Sequence, residues 1–377
     1  MKEIYDLVVI GGGISSCTLI SNLLKKGYKG KIGVIEAGRG LGGRCATRFS
    51  KKHKKWQLNH GSPIFNITNN SNDPLLDNFI KELLDYKFIK NSENTFFELD
   101  HKYNLKKKYN KDFYHGTVYI PNPNMSEFVS NLISYNNLNN QIDFYFETLI
   151  NKLFFNNNCW ILKSIKGIEI KCRFLVCSSN LLLHKRSLKI LNVSEIPLKK
   201  AILGVENKKI NEIINFTNNL ENIIRTNYII YLNSRFKLLG IFDSKINHFI
   251  YNNNAEKEIG IERIIIQKQI NNRIGMVLHT KKHEEFENKF FYEYLLDHLN
   301  QVFKKNLVSQ EDIIFEDVSI MNWRASQPIG IGIPERLQIN EELKIGFCGD
   351  WFQFEGFGTV QGAILSGLKL TDKILDL

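Results

Sequence analysis

Residues 7 to 36 constrain this chain more than any other stretch. Leu7, Val8, Val9 and Ile10 form a short, wholly apolar run, as in a strand buried on both faces. Gly11, Gly12 and Gly13 follow, and then Ile14, Leu19, Ile20, Leu23 and Leu24 recur at helical spacing. A second apolar run, Ile32 to Ile35, ends in Glu36. The pattern predicts a strand, a glycine turn, a helix and a second strand with an acid at its tip. Such a unit suits a dinucleotide. Gly11 lets the chain turn sharply, and Gly13 lets a pyrophosphate approach bare backbone. The helix N-terminus at Ile14 and Ser15 presents free N–H groups and a partial positive charge. Glu36 lies 25 residues after Gly11, where a carboxylate can accept hydrogen bonds from ribose hydroxyls.

Ser16 stands where the third glycine of Gly-x-Gly-x-x-Gly is usual. That glycine serves helix–strand packing, so a serine predicts a slightly loosened turn, not a lost one. An ordinary glycine-rich turn would carry the same glycines. The flanking strand, helix and acid favour the dinucleotide site.

The chain has 377 residues, enough for two domains with ample core. Its net charge of +11 comes from lysines scattered along the chain, which argues against a nucleic-acid footprint. The cluster Lys51, Lys52, Lys54 and Lys55 reads as a solvated loop. The six cysteines include no Cys-x-x-Cys pair, so no metal site and no disulfide framework is expected. Glycines interrupt the first apolar run, and no run reaches ~18 apolar residues. The expectation is a cytoplasmic protein without signal peptide or stable membrane insertion.

Further along, residues 75–84 carry Leu76, Phe79, Ile80, Leu83 and Leu84 on one helical face. Strands are expected at 96–99, 114–120, 142–150, 154–162 and 169–176, with more β-type runs at 201–205, 228–232, 238–242, 264–266 and 275–278. An amphipathic helix is expected over 284–305, its aromatic stripe read as core. The asparagine runs at 156–158 and 252–254 read as loop tips.

Three pieces, VVIGGGIS, EAGRGLGGRCATR and NHGSPIF, together resemble the FAD-dependent amine oxidase superfamily, and within it the renalase-like members. The resemblance implies that Glu36 binds the FAD ribose. It also implies that Gly43 and Arg44 lie against the FAD phosphates, and that the backbone at Ile150 touches adenine. Asn59, Ser62, Pro63 and Ile64 depart from the family's usual Asp, Ala, Gln and Tyr, whereas His60, Gly61 and Phe65 match. Asn322 to Pro328 resembles the family's Trp-Arg-Tyr-Ala stretch, which makes Trp323 and Arg324 candidates for the substrate side of the flavin. His60 is a third candidate. The competing reading is core packing for Trp323 and loop ordering for His60 and Arg324. The resemblance further implies that Asp350, after Gly349, bonds the ribityl chain or adjacent phosphate. It implies, too, that a helix opening at Val360 aims its N-terminus at the ring, where negative charge gains about 0.3–2 kcal/mol.

The expected fold class is α/β, a doubly wound Rossmann-type FAD-binding domain with a second, mixed α+β substrate domain. The cofactor domain is drawn from 1–65, 114–180 and 321–377, and the substrate domain from 66–113 and 181–320. The expected activity is hydride transfer from a small reduced substrate to non-covalent FAD, with oxygen as a candidate reoxidant. A dihydronicotinamide, such as a nicotinamide dinucleotide, or an amine would be that substrate. One alternative is a desaturase or isomerase of the same superfamily acting on an isoprenoid or lipid. Another is a non-catalytic FAD- or nucleotide-binding protein.

Overall fold

The computed structural model describes residues 4–68, 73–91, 95–108, 115–135, 141–232, 246–269, 273–281, 297–302, 313–314 and 317–377. In chain order they form β1 (Ile4–Ile10), α1 (Ile14–Lys25), β2 (Ile32–Ile35), β3 (Thr47–Phe49), β4 (Gln57–Asn59), β5 (Phe65–Ile67) and α2 (Pro74–Asp85). Next come β6 (Ile89–Asn91), β7 (Thr95–Leu99), β8 (Leu105–Lys108), β9 (Thr117–Pro121), α3 (Met125–Ser134), β10 (Ile142–Tyr145), β11 (Ile150–Asn156), β12 (Cys159–Ser164) and β13 (Glu169–Cys177). Three helices follow, α4 (Arg186–Ile190), α5 (Pro197–Ala201) and α6 (Lys208–Asn219). The chain then continues through β14 (Glu221–Leu232), β15 (Ile246–Tyr251), α7 (Asn253–Ile259), β16 (Ile261–Lys268), β17 (Ile274–Thr280) and β18 (Ser319–Ile329). It ends with β19 (Ile339–Asn340), β20 (Ile345–Phe347) and α8 (Val360–Leu375).

β1 lies at the centre of a parallel layer ordered β10-β2-β1-β13-β20. The β11–β12 hairpin adds antiparallel strands to the first half of β13. Alternation along β1 explains its uniformly apolar sequence. Leu7 and Val9 enter the core beneath α1, α3 and α8, while Val8 and Ile10 enter a second core on the opposite face. Burial of Leu19, Ile20 and Leu23 on α1 contributes roughly 1.5–3 kcal/mol each. Leu23→Ala would therefore cost about 2–5 kcal/mol. Lys26 caps the helix C-terminus, and Gly27 follows at φ +89°.

Ser16 shows how the turn works without its third glycine. It is fully buried, and its Oγ donates to Gly13 O at 2.7 Å. Close approach to α1 is instead made from the other end of the chain. At Gly367 of α8, a Cβ would stand 2.4 Å from Ser15 O.

The second sheet runs β18-β14-β17-β16-β15-β7-β8 and is antiparallel except where β7 meets β15. Ile229, Tyr231, Ile265 and Val277 share one face and pack on Trp56, Leu58 and Ile64. Leu58 reaches so close that a Cβ on Gly275 would stand 2.5 Å from it. The β3–β4 hairpin thus packs on the second sheet, and Thr47 and Asn59 tie it to the start of α3.

Several segments differ from their sequence-based expectation. Residues 201–205 are not a strand. Pro197 opens α5, and the chain leaves it through a turn with Gly204 at φ +86° and Leu203 exposed. Asn252 is not a loop tip but the N-cap of α7, accepting from Ala255 N–H. Asn157 and Asn158 do form a tight turn, which splits the 154–162 run into β11 and β12. Helices α5 and α6 cover the second face of the parallel layer, so Leu198, Ile210 and Ile213 share its core. Conversely α2 packs with α1, and β18 belongs to the second sheet. The 238–242 run and most of the 284–305 helix lie outside the described residues.

Candidate cofactor and substrate cleft

A cleft of about 580 Å³ opens between the C-terminal ends of the parallel strands and the second sheet. One end is made of backbone. Gly11 turns at φ +107°, and a Cβ there would stand 3.3 Å from Ser179 N. Gly13 lines the cleft as the N-cap of α1 with no side-chain cap, and a Cβ on it would meet nothing within 4 Å. Ile14 and Ser15 line it too. Glu36 accepts from Gly12 N–H and Gly38 N–H, both at 2.6 Å, which fixes its carboxylate beside the turn. Gly43, at φ +56°, backs onto Gly13, where its Cβ would lie 3.4 Å from Gly13 Cα. This is an open, uncapped helix N-terminus with an acid alongside, and it suits a dinucleotide's phosphates and ribose.

In the middle of the cleft Arg44 and Asp350 bind each other. Two parallel bonds of 2.6 Å join them, and Arg44 also donates to Ser326 O at 3.0 Å. Burial works against the Arg44 charge, but Asp350 outweighs it and raises the Arg44 pKa. Gly349 holds this corner: its φ is +153°, its N–H donates to Ser366 Oγ, and a Cβ would strike Trp351. Val360 and Thr359 line the cleft where α8 begins, again without a side-chain cap. Two helix N-termini therefore face one cavity.

The opposite wall is built from side chains of the second sheet. Continuing the apolar face of Ile229, Ile265 and Val277 by two residues brings Asn227, Arg263 and His279 to the cleft. Asn227 lies opposite His279, and His279 opposite Arg263. Arg225 lies opposite Trp323 of β18. Arg225 holds Glu262 through Nε at 2.5 Å and Nη2 at 3.1 Å, and Arg263 holds it at 2.8 Å. Burial alone would raise the Glu262 pKa, but Arg263 and Arg225 depress it far below the usual carboxylate range. Burial, then Arg263, pushes His279 down to about 3. Asn227 Nδ2 donates to His60 O, and among the described residues its Oδ1 is a buried acceptor without a partner. Trp323 Nε1 is likewise a buried donor without one.

The structure brings only some of the sequence-expected residues together. Trp323 lines the cleft. His60 lies one layer back, 2% exposed and stacked on Trp323 at 5.8 Å between ring centres. Burial, then Arg48, lowers its pKa to about 4. Its carbonyl, not its ring, contacts Asn227. Arg324 is exposed and does not line the cleft, because β18 alternates and Trp323 takes the inward face. Ile150 is buried at the start of β11 and does not reach the cleft either. Among the departures from the family pattern, Asn59 pins the architecture: its Oδ1 accepts from Thr47 Oγ1 and Met125 N–H. Ser62, Pro63 and Ile64 line the cleft directly. Sequence reading missed Arg225, Asn227, Glu262, Arg263, His279 and Arg186. For the five residues on strands the available signal was a polar residue standing where alternation called for another apolar one, whereas Arg186, on α4, carried no such signal.

Residues 9–83 match the model of the NAD(P)-binding Rossmann-like domain. No curated protein matches the sequence. Among solved structures, a protein of Exiguobacterium sp. 255-15, provisionally assigned as a protoporphyrinogen oxidase, is similar with a TM-score of 0.66 at 12% identity. That match covers 98% of this chain and 99% of the other. A triple mutant of putrescine oxidase, redesigned in its cofactor binding, is similar with a TM-score of 0.64 at 11% identity, covering 99% of both chains. These likenesses establish the fold: a Rossmann-like α/β unit carrying a second sheet. Among the described residues, no helix is long and apolar enough to cross a membrane, and no cluster of ligating side chains could hold a metal ion.

Proposed function

We propose that this protein is an FAD-dependent oxidoreductase that accepts a hydride from a small, polar, reduced substrate of the dihydronicotinamide class. The observation that carries this reading is one cleft with two uncapped helix N-termini. An NAD site of a single glycine turn has no use for the second, whereas a flavin dinucleotide extends from the first to the second. The empty Cβ direction at Gly13 and the fixed Glu36 carboxylate fit its adenosine diphosphate half. When bound, FAD supplies the hydride acceptor. The chain's own residues bind, orient and exclude water. Cys45 is the one cysteine among the lining residues, and burial pushes its thiol up to about 12, which supports non-covalent binding.

The far wall favours a dihydronicotinamide over an amine. Asn227 Oδ1 and Trp323 Nε1 offer one acceptor and one donor on adjacent strands. A primary carboxamide presents the complementary pair. Glu262 is already engaged by Arg225 and Arg263, so it does not serve an ammonium group. The polar wall also speaks against an isoprenoid or lipid substrate.

The test is anaerobic titration of the FAD-loaded protein. Dihydronicotinamides should bleach the flavin bands, and putrescine should not. Trp323→Phe should raise the half-saturating concentration about tenfold at unchanged flavin content, the scale of one lost hydrogen bond. A colourless protein after FAD addition, or bleaching by amines alone, would overturn the proposal.

A further inference from the structure

Arg186 belongs to none of the motifs that mark the cofactor site, yet its position is tightly determined. The turn after β13 abuts the glycine turn. Ser178 and Ser179 N–H donate to Ile10 O at 3.0 and 3.2 Å, and Ser178 Oγ lies 2.9 Å from Ser15 Oγ on the first turn of α1. Asn180 comes next, and Arg186 reaches back to it with Nη2 donating to Asn180 Oδ1 at 2.7 Å. Ser178, Ser179, Asn180 and Arg186 all line the cleft.

The two guanidinium groups on this side differ in their partners. Arg44 is matched by the Asp350 carboxylate. Among the described residues the Arg186 guanidinium meets only the neutral Asn180 amide, and its Nε is buried without a partner. Burial, and then Arg44, draws its pKa down, yet a guanidinium stays protonated in any protein. A cation held half-buried beside another cation, in the cleft that an open helix N-terminus also lines, lacks a counter-ion that the described residues do not supply.

We propose that Arg186 is the counter-charge for the pyrophosphate of the bound dinucleotide. Arg44 and Asp350 form a neutral pair that shapes the cleft around it. This rests on the dinucleotide reading above.

The test is calorimetric titration of the purified full-length chain with ADP and, separately, with adenosine. Arg186→Gln should weaken ADP about tenfold or more, as expected for a lost charge-assisted contact, and leave adenosine unchanged. Unaltered ADP affinity, or parallel loss of ADP and adenosine, would overturn the assignment. Should Arg186→Gln not fold, Arg186→Lys decides in its place. It keeps the charge and loses the planar fork, so ADP should weaken while adenosine does not, and equal loss of both rejects the role. Flavin absorbance after FAD addition is read independently. Arg186-dependent ADP binding without flavin uptake rejects the flavin and keeps Arg186. Flavin uptake with ADP affinity unchanged in Arg186→Gln does the reverse.

Discussion

The two ends of the cleft are made of different material. At the glycine turn the cleft is lined by backbone, and no side chain projects from Gly11 or Gly13. At the second sheet it is lined by side chains from β14, β16, β17 and β18, held by a buried ion pair and by carbonyl contacts. A backbone site recognises what all dinucleotides share, because its donors come with any sharp strand–helix turn. A side-chain site can be altered one residue at a time, so under the proposed function discrimination between substrates would reside there. The first end should therefore tolerate damage in its fold and lose its ligand, while the second should lose stability when its charges are disturbed.

The largest expected effect is on the second-sheet wall. Arg225→Met removes the nearer partner of Glu262, whose side chain is only 9% exposed. Breaking a buried pair from one side leaves a charge poorly matched, so the cost should be ~3 kcal/mol or more. The comparison is Lys26→Met at the end of α1, which breaks a pair with Asp372 whose side chains are 40% and 38% exposed. Solvation of both partners there should hold the cost to ~1 kcal/mol or less. Denaturant melts of the two variants measure this directly. Equal losses would mean that the two pairs are energetically alike, and the expected fragility of the second-sheet wall would fail.

At the glycine turn the expected damage is to binding. Gly13 has φ −79° and ψ 178°, a conformation open to any residue, and its Cβ direction is empty. Gly13→Leu should fold with an unchanged melting midpoint. It should weaken FAD or ADP binding about 100-fold, because the side chain occupies the space a phosphate needs and removes one or two charge-assisted bonds of ~1.5–3 kcal/mol. Retained binding would remove the phosphates from this turn.

The same contrast explains what could be read from the sequence. The strand, glycines, helix and Glu36 are contiguous, so local spacing alone predicts the first end. Trp323 and the α8 start were legible through resemblance. Arg186 was not, because its role depends on a turn from β13 reaching the Gly11 turn far away in sequence. Glu262 and Arg263 looked like ordinary polar residues opening an apolar strand. Only pairing of β16 with β17, and β17 with β14, sets them beside His279 and Asn227. His60 and Arg324 were singled out because they sit in motif-like stretches. Side-chain direction decides their place, and for Arg324 one step along β18 was enough to reverse it.

Acid should separate the ends with a smaller effect. The glycine turn holds no histidine among its lining residues, whereas His279 lines the far wall and His60 backs it. Their pKa values are lowered to about 4 for His60 and about 3 for His279, chiefly by burial. A histidine of ordinary pKa ≈ 6.5 takes up a proton in the unfolded chain before it does so in the folded one. The unfolded state then binds more protons, and stability falls as pH drops. The stabilisation is fully present above about 6.5 and is lost progressively toward the folded values. For His60 the loss is on the order of 2 kcal/mol by pH 5. Thermal melts at pH 7 and pH 5 should show a lower midpoint at pH 5. His60→Gln, which keeps the backbone carbonyl that Asn227 uses, should show a smaller drop. If its drop equals that of the wild-type chain, His60 is not held neutral by the fold. The acid sensitivity would then rest on His279 or lie elsewhere than the far wall.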